Sequence, residues 1–236
     1  MHCYRDQHRL FIQIMMNRKI LSLSELKTIV AFCHESYDVP IDLDGDPEAL
    51  KKFIQEMNTE ITPFHMRLKH GVSEDDGRRY YALINLKDDE LSRAANRKYT
   101  ENETQFLKLL VAKIVDSRNG TISSIEAINM AHSVARLSAV GAEALIDRFV
   151  RDKVLSEDQG RISLSTLSIM EMEPYLQSQF GSSLSRCHVC KCICIKGQRC
   201  RGCDVKMHSR CAREFFGGGS AAFSNSCPSC GSPWSH

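Results

Sequence analysis

The spacing of the last cysteines constrains this chain more than any other feature. Nine of its eleven cysteines lie between Cys187 and Cys230, and most of them form pairs separated by two residues. Two thiolates at that spacing can converge on one tetrahedral zinc ion, with zinc–sulfur distances of about 2.3 Å. Eight candidate ligands occur in this order: Cys187, Cys190, Cys200, Cys203, His208, Cys211, Cys227 and Cys230. The sequence therefore predicts two structural Zn²⁺ ions within residues 187–236.

Disulfide bonding is the alternative use for so many cysteines. It is disfavoured because residues 1–10 carry charged side chains where a secretory signal needs an apolar core. The sequence also lacks the run of roughly eighteen apolar residues that spans a membrane. We therefore expect a soluble intracellular protein without a membrane partner, in which thiolates bind metal. The formal net charge of +2 is too small to predict nucleic-acid binding by the whole chain.

The predicted zinc ions are structural rather than catalytic. Four protein ligands around each ion leave no position for a reactive water, and no catalytic residue is predicted. His188, Cys192 and Cys194 fall outside the paired spacing and are expected to be packing residues or exposed side chains. Zinc binding supplies about 10–16 kcal/mol in small modules, and a segment this short has too small an apolar core to fold without it. We expect removal of zinc to unfold this module alone.

The first part of the chain has the pattern of three helices followed by a β-hairpin. Apolar residues recur at helical spacing over residues 6–17, 24–33 and 46–57. Alternating apolar and polar residues from 64 to 87, interrupted by a polar turn with Gly77, predict the hairpin. This order is typical of a winged helix, so the sequence predicts a winged-helix domain over residues 1–87.

The same order of elements recurs after a polar, aperiodic stretch. Residues 88–100 are predicted to be a linker, and residues 101–180 a second winged-helix domain. Its hairpin is predicted from Val154 to Leu164, and a final helix from Thr166 to Gln179. Ser178–Ser185, which contains Gly181, is predicted to be a flexible joint before the cysteine-rich segment.

The order of the ligands resembles two families of cross-braced zinc modules, the RING variants and the histone-reading plant-homeodomain fingers. The histone readers carry a tryptophan two residues before the seventh ligand, where this chain has Asn225, so the RING is favoured. The predicted fold class is α+β, with tandem winged-helix domains followed by a small cross-braced two-zinc RING-like domain. The resemblance implies interleaved pairing, with Cys187, Cys190, His208 and Cys211 on one zinc and Cys200, Cys203, Cys227 and Cys230 on the other.

Ubiquitin-ligase RINGs bind a ubiquitin-conjugating enzyme through a shallow apolar patch. The resemblance places Val189, Phe215 and Pro228 in that patch, and the alternative is that Val189 and Phe215 only fill the small core. One position departs from the pattern: many RINGs have a basic residue directly after the eighth ligand that holds the conjugated ubiquitin, and this chain has Gly231. Ligase activity is therefore expected to be weak or dependent on a partner.

The whole architecture resembles the non-SMC element one family, the RING-type subunits of the DNA-repair SMC (Smc5/6) complex. The residues specific to the resemblance surround the ligands: Gly197, Gln198, Met207, Trp234 and His236. It implies a nuclear, chromosome-associated protein whose winged helices bind a MAGE-type tandem winged-helix subunit, with a kleisin subunit bridging to the SMC heads. It also implies an E3 ubiquitin ligase that acts with a conjugating enzyme and is enhanced by the MAGE-type partner. A non-catalytic scaffold, whose zinc module only mediates protein contacts, is the alternative.

Winged helices often bind DNA through their third helix, which then carries clustered Lys and Arg. Both predicted third helices mix acidic and basic side chains, so contact with protein is favoured for both domains. The exception is the first hairpin, where several basic side chains could touch a phosphate backbone or remain solvated: Arg67, Lys69, His70, Arg78 and Arg79. Direct contact with DNA is left open by the sequence.

Overall fold

The computed structural model of the protein describes residues 4–86, 99–135, 137–217 and 226–234. The chain forms two compact units. The first unit contains residues 1–73 and 78–88, and the second contains residues 74–77 and 89–236. In the part of the chain that is described, no helix is both long and apolar enough to cross a membrane.

The first unit combines three helices with a three-stranded antiparallel sheet. The strands lie in the order β1-β3-β2, so the short first strand pairs with the last. In chain order the elements are α1 Asp6–Arg18, β1 Ile20–Ser22, α2 Leu23–Glu35, α3 Ala49–Ile61, a 3-10 helix Thr62–Phe64, β2 Met66–Val72 and β3 Arg79–Asn85. This is the predicted winged-helix order, with β1 added.

Local sequence explains where these elements begin and which side they bury. At the start of α2 the Ser22 hydroxyl accepts the N–H of Glu25, and the Glu25 carboxylate accepts the N–H of Ser22, which satisfies two N–H groups at this end of the helix. One face of α3 is buried at helical spacing, through Leu50, Phe53, Met57 and Ile61. These side chains join Phe11, Met15 and Leu26 in the core of the first unit.

The second unit repeats this architecture and then continues into the cysteine-rich segment. Its first sheet has the order β4-β6-β5, which matches that of the first unit. The elements are α4 Glu101–Asp116, β4 Ile122–Ser123, α5 Ser124–Asn129, a 3-10 helix Met130–Ser133, α6 Ala139–Arg151, β5 Leu155–Asp158, β6 Arg161–Leu164, α7 Thr166–Glu171, α8 Glu173–Phe180, a 3-10 helix Gly181–Ser183, β7 Gln198–Arg199, β8 Lys206–Met207 and α9 Ser209–Gly217. The predicted α+β fold class is confirmed.

Two features of the second unit differ from expectation. Residues 178–183, predicted to be part of a flexible joint, are helical. Of the predicted linker 88–100, only Tyr99 and Thr100 are described; Tyr99 is buried against Phe149, and its hydroxyl donates to Asp152 across 2.6 Å. The remainder of that linker lies outside the described residues, and its bounds stay a prediction.

The loop between the first two cysteine pairs enters the core of the second unit. Ile193 and Ile195 are each 4% exposed and belong to the same apolar cluster as Phe106 and Phe149 of the winged helix. Burying two such side chains contributes about 1.5–3 kcal/mol each. The cysteine-rich segment therefore shares a core with the second winged helix.

Candidate metal centre

The structure brings the eight predicted ligands together in two clusters. The first contains Cys187, Cys190, His208 and Cys211, and the second contains Cys200, Cys203, Cys227 and Cys230. Within each cluster, the candidate ligand atoms all lie within 4.8 Å of one another. The two sets interleave along the chain, so the segment is cross-braced with two candidate metal sites.

The distances within the clusters suit a tetrahedral metal. In the second cluster the Sγ atoms of Cys200 and Cys230 are 3.6 Å apart and those of Cys203 and Cys227 are 3.5 Å apart. Sulfurs around a tetrahedral zinc ion are roughly 3.8 Å apart, whereas a disulfide bond is about 2.05 Å long. Every cysteine among the described residues is a free thiol. The donor set and its spacing therefore fit zinc.

Short backbone turns hold the cysteine pairs in place. The N–H of Lys191 donates to Cys187 O across 2.9 Å, and the N–H of Gly231 donates to Cys227 O across 3.0 Å. In the second cluster, strands β7 and β8 bring Cys200 and Val205 together through a backbone hydrogen bond of 2.9 Å. The N–H of Gly202 also points at Cys200 Sγ across 3.3 Å, which stabilises a thiolate.

The thiols within each cluster differ in acidity. Burial raises the pKa of Cys187, but hydrogen bonds with His208 and with the backbone of Cys190 lower it to about 5. Hydrogen bonds from Ser232 lower the pKa of Cys230 to about 6. Burial and the neighbouring thiolates raise the pKa of Cys211 to about 12, against the opposing effect of His208. An ionised thiolate thus disfavours ionisation of the neighbouring thiols. A bound divalent cation offsets this repulsion and allows all of them to ionise.

His208 is the one nitrogen donor, and its ring is oriented from both sides. Nδ1 lies 3.3 Å from Cys190 Sγ and 3.8 Å from Cys211 Sγ. Nε2 lies 3.0 Å from Ile193 O and 3.3 Å from a carboxylate oxygen of Glu74. The contact with Glu74 is not predictable from the sequence, because nothing in the ligand spacing points to an acidic turn so far away in the chain.

The remaining cysteines of the segment lie outside both clusters. Cys194 is buried and donates from its thiol to Lys196 O across 3.2 Å, a contact that suits the packing role predicted for it. Cys192 is half-buried. Cys194 also lies near Glu74 and His208, and this group shares its histidine with the first cluster.

The three predicted docking residues differ in exposure. Val189 is 40% exposed and Pro228 is exposed, whereas Phe215 is half-buried and packs edge to face on Phe216 with 5.1 Å between ring centroids. Trp234 is buried against Phe216, and its indole N–H donates to the side chain of Gln198 across 2.9 Å. Asn225, which favoured a RING over a histone reader, lies outside the described residues, as does His236.

These features define a class of protein: a RING-like module with two metal-binding clusters that follows a pair of winged helices. Sequence comparison agrees, since residues 187–230 match a RING-like domain and residues 8–136 match the family described as Nse1 non-SMC component of SMC5-6 complex. The chain belongs to this Nse1 family, and the resemblance found in the sequence is confirmed.

Individual relatives extend the match over nearly the whole chain. The "Non-structural maintenance of chromosomes element 1 homolog" of Homo sapiens is 30% identical over 233 residues, which are 98% of this chain and 85% of that protein. The homolog of Drosophila melanogaster is 24% identical over 230 residues, covering 95% of this chain and 93% of its own. Among solved structures, a chain of an "Nse1-Nse3-Nse4 complex" superimposes with a TM-score of 0.87 and 29% identity, covering 100% of this chain and 99% of that one.

Proposed function

We propose that this protein is an E3 ubiquitin-ligase subunit of an SMC5-6 complex, and that its two clusters each bind a structural Zn²⁺ ion. The observation that supports it best is the cross-braced pair of clusters in a chain of the Nse1 family. Such a ligase needs no active-site residue of its own, because the thioester lies on the conjugating enzyme and the RING only restricts its reactive geometry.

The exposed positions of the RING-like segment support docking of a conjugating enzyme. Val189 and Pro228 are solvent-exposed, whereas most of the described apolar residues of this segment are buried. A small apolar surface with a polar rim suits a transient contact. Phe215, held by Phe216, would form the less accessible part of the same contact.

The winged helices are proposed to bind protein partners of the Nse3 and Nse4 kinds, which are a MAGE-type subunit and a kleisin. The solved relative whose title names these subunits supports this assignment. Three large apolar side chains of the winged helices, Phe64, Ile125 and Val140, are 71–76% exposed and are candidate contacts for such partners. The proposal includes a nuclear location on chromosomes, which membership of the Nse1 family supports.

Charge on α6 argues against DNA as the main partner of the second winged helix. Arg148 is 2.8 Å from the carboxylate of Glu103, and its guanidinium lies 4.8 Å from the ring centroid of Tyr99. A cation held in this way is a poor phosphate contact. The exposed basic residues of β2 and β3 leave DNA contact by the first unit open.

The test is discharge of ubiquitin from a charged conjugating enzyme to free lysine, with and without the MAGE-type partner. We expect the full-length protein to accelerate discharge, more so with the partner, and Val189→Ala to lose the acceleration while it keeps two zinc ions. Leu86→Ala, which truncates an apolar side chain that is likewise 40% exposed but lies outside the RING-like segment, is the control. If no conjugating enzyme in a broad panel responds even with the partner bound, the scaffold alternative replaces the ligase.

A further inference from the structure

Glu74 is a buried carboxylate in the turn Glu74–Gly77, which belongs to the second unit. Its side chain is only 3% exposed. One carboxylate oxygen accepts the N–H of Ile195 across 2.7 Å, and the other accepts the N–H of Lys196 across 3.1 Å. A charged carboxylate loses much hydration on burial, so its oxygens need such donors.

The same carboxylate faces the histidine of the first metal cluster. Glu74 Oε1 lies 3.3 Å from His208 Nε2, and the side chain of His208 is also 3% exposed. Nε2 is in addition 3.0 Å from the backbone carbonyl of Ile193. Because a carbonyl oxygen can only accept, the proton of the imidazole belongs on Nε2. Nδ1, which faces the sulfurs of Cys190 and Cys211, is then the nitrogen that is free to bind metal.

We propose that Glu74 is a positioning residue for the first zinc ion and acts through His208. A carboxylate that accepts the second N–H of a metal-bound histidine fixes the tautomer and the ring orientation and makes the ring a stronger donor. Loss of such a partner weakens metal binding by about 10- to 100-fold. This inference rests on the proposed zinc sites and adds a residue that lies outside the zinc-ligand motif.

Other contacts of the turn support the same arrangement. Asp75 forms an ion pair with Lys196, and Arg210, next to the ligand Cys211, donates to the carbonyl of Gly77. The turn is therefore attached on both sides of the first metal cluster. Since Glu74 contacts a metal ligand directly, zinc binding and attachment of this turn stabilise each other.

A third metal ion is the competing explanation, since Glu74, Cys194 and His208 place their ligand atoms within 4.8 Å of one another. Two contacts oppose it. The Nε2 proton is directed at Ile193 O, and the Cys194 thiol donates to Lys196 O. A chain that binds three zinc ions would contradict the assignment of Glu74.

The test measures transfer of zinc from the full-length protein to a chromogenic chelator. We expect Glu74→Gln to release one of its two ions about 10- to 100-fold faster than the wild type, with the other ion unchanged. Asp75→Asn weakens the ion pair of the same turn with Lys196 without touching His208, and it should accelerate release far less than Glu74→Gln. In a His208→Cys background, which has no Nε2, Glu74→Gln should have no effect on release.

Two further results would overturn the proposal. One is equal acceleration from both sites in Glu74→Gln, which would indicate a general loss of structure. The other needs no variant: nitrogen NMR of the zinc-loaded wild type should show His208 protonated on Nε2 and metal-bound through Nδ1, and the opposite tautomer excludes the role of Glu74. A chain that holds no zinc would instead refute the proposed function.

Discussion

Lys191 and Gly231 occupy equivalent positions, each directly after the second cysteine of a pair, and both have positive φ angles of 62° and 71°. Gly231 is also the position where many RINGs have a basic residue. A Cβ added to Gly231 meets nothing within 4 Å. Only the positive φ angle of Gly231 opposes a side chain at this position. Lys191, which has a similar φ angle in the equivalent turn, shows that such a turn accommodates a lysine.

Gly231→Lys is therefore expected to give a folded protein with higher ligase activity. The strain of a side chain at positive φ costs about 1 kcal/mol of stability, while the added cation can contact the conjugated ubiquitin. Ubiquitin discharge to free lysine should become several-fold faster. Gly217→Lys, at another glycine of the segment whose Cβ would meet nothing within 4 Å, should not change it. Equal rates for Gly231→Lys and the wild type would mean that the basic residue is not what limits activity.

Chelation of zinc should destabilise the second winged helix as well as the RING-like segment. Ile193 and Ile195 lie between metal ligands and are buried with Phe106 and Phe149, so loss of the metal sites removes part of that core. Hydrogen exchange should show faster exchange in α4 and α6 after chelation, with α1–α3 unchanged. This replaces the expectation that the zinc module unfolds alone; unchanged exchange in α4 and α6 would restore it.

Ile195→Ala tests the shared core without removing metal. Truncation of a buried isoleucine costs about 2–5 kcal/mol, and we expect the midpoint of urea unfolding to fall accordingly while two zinc ions stay bound. Ile125→Ala, which truncates an isoleucine that is 71% exposed in the same unit, should change stability by no more than about 0.5 kcal/mol. Similar midpoints for the two variants would argue against a shared core.

The first unit should lose stability in mild acid. Burial lowers the pKa values of His8 and His34, and Glu56, 4.0 Å from His8 Nε2, only partly opposes this. The unfolded chain, with a histidine pKa near about 6.5, then takes up more protons than the folded one. Unfolding free energy therefore decreases as the pH falls below about 6.5.

Hydrogen exchange of α3, corrected for the intrinsic effect of pH, separates this loss from loss of zinc. His34→Phe keeps an aromatic ring next to Phe53, whose centroid is 5.6 Å away, and should reduce the decrease in stability between pH 7 and pH 5.5. His65→Asn removes an exposed imidazole from the same unit and should leave the decrease as it is. An identical pH dependence in wild type and His34→Phe would exclude His34 as a cause.

Much of the fold follows from local signals in the sequence. Helices α1 to α4 and α6 have apolar residues at regular spacing, and Ser22 and Thr100 cap the helices that follow them. Strands β1 and β4 were not predicted, because two or three residues are too short for a visible alternation. They form because they pair with β3 and β6, which lie far away in the sequence.

The metal clusters were predictable because the two-residue spacing of the cysteine pairs is visible in the sequence. The residues that pack around the clusters were not predictable in this way. Gly181 and the adjacent serines suggested a joint, yet Leu176 and the loop residues Ile193 and Ile195 are buried together. The apolar run Ile193-Cys194-Ile195, in which all three residues are buried, was a visible signal of contact with a core. Glu74 offered no such signal, since an acidic residue before Asp75, Asp76 and Gly77 is typical of a solvated turn.

Cadmium-113 NMR of the metal-exchanged wild-type protein is the most direct test of the cross-braced account. We predict two cadmium signals, one coupled to the Hβ protons of Cys187, Cys190 and Cys211 and to the ring of His208, the other to those of Cys200, Cys203, Cys227 and Cys230. A signal that couples to Cys187, Cys190, Cys200 and Cys203 together would show sequential rather than interleaved sites and would contradict the account.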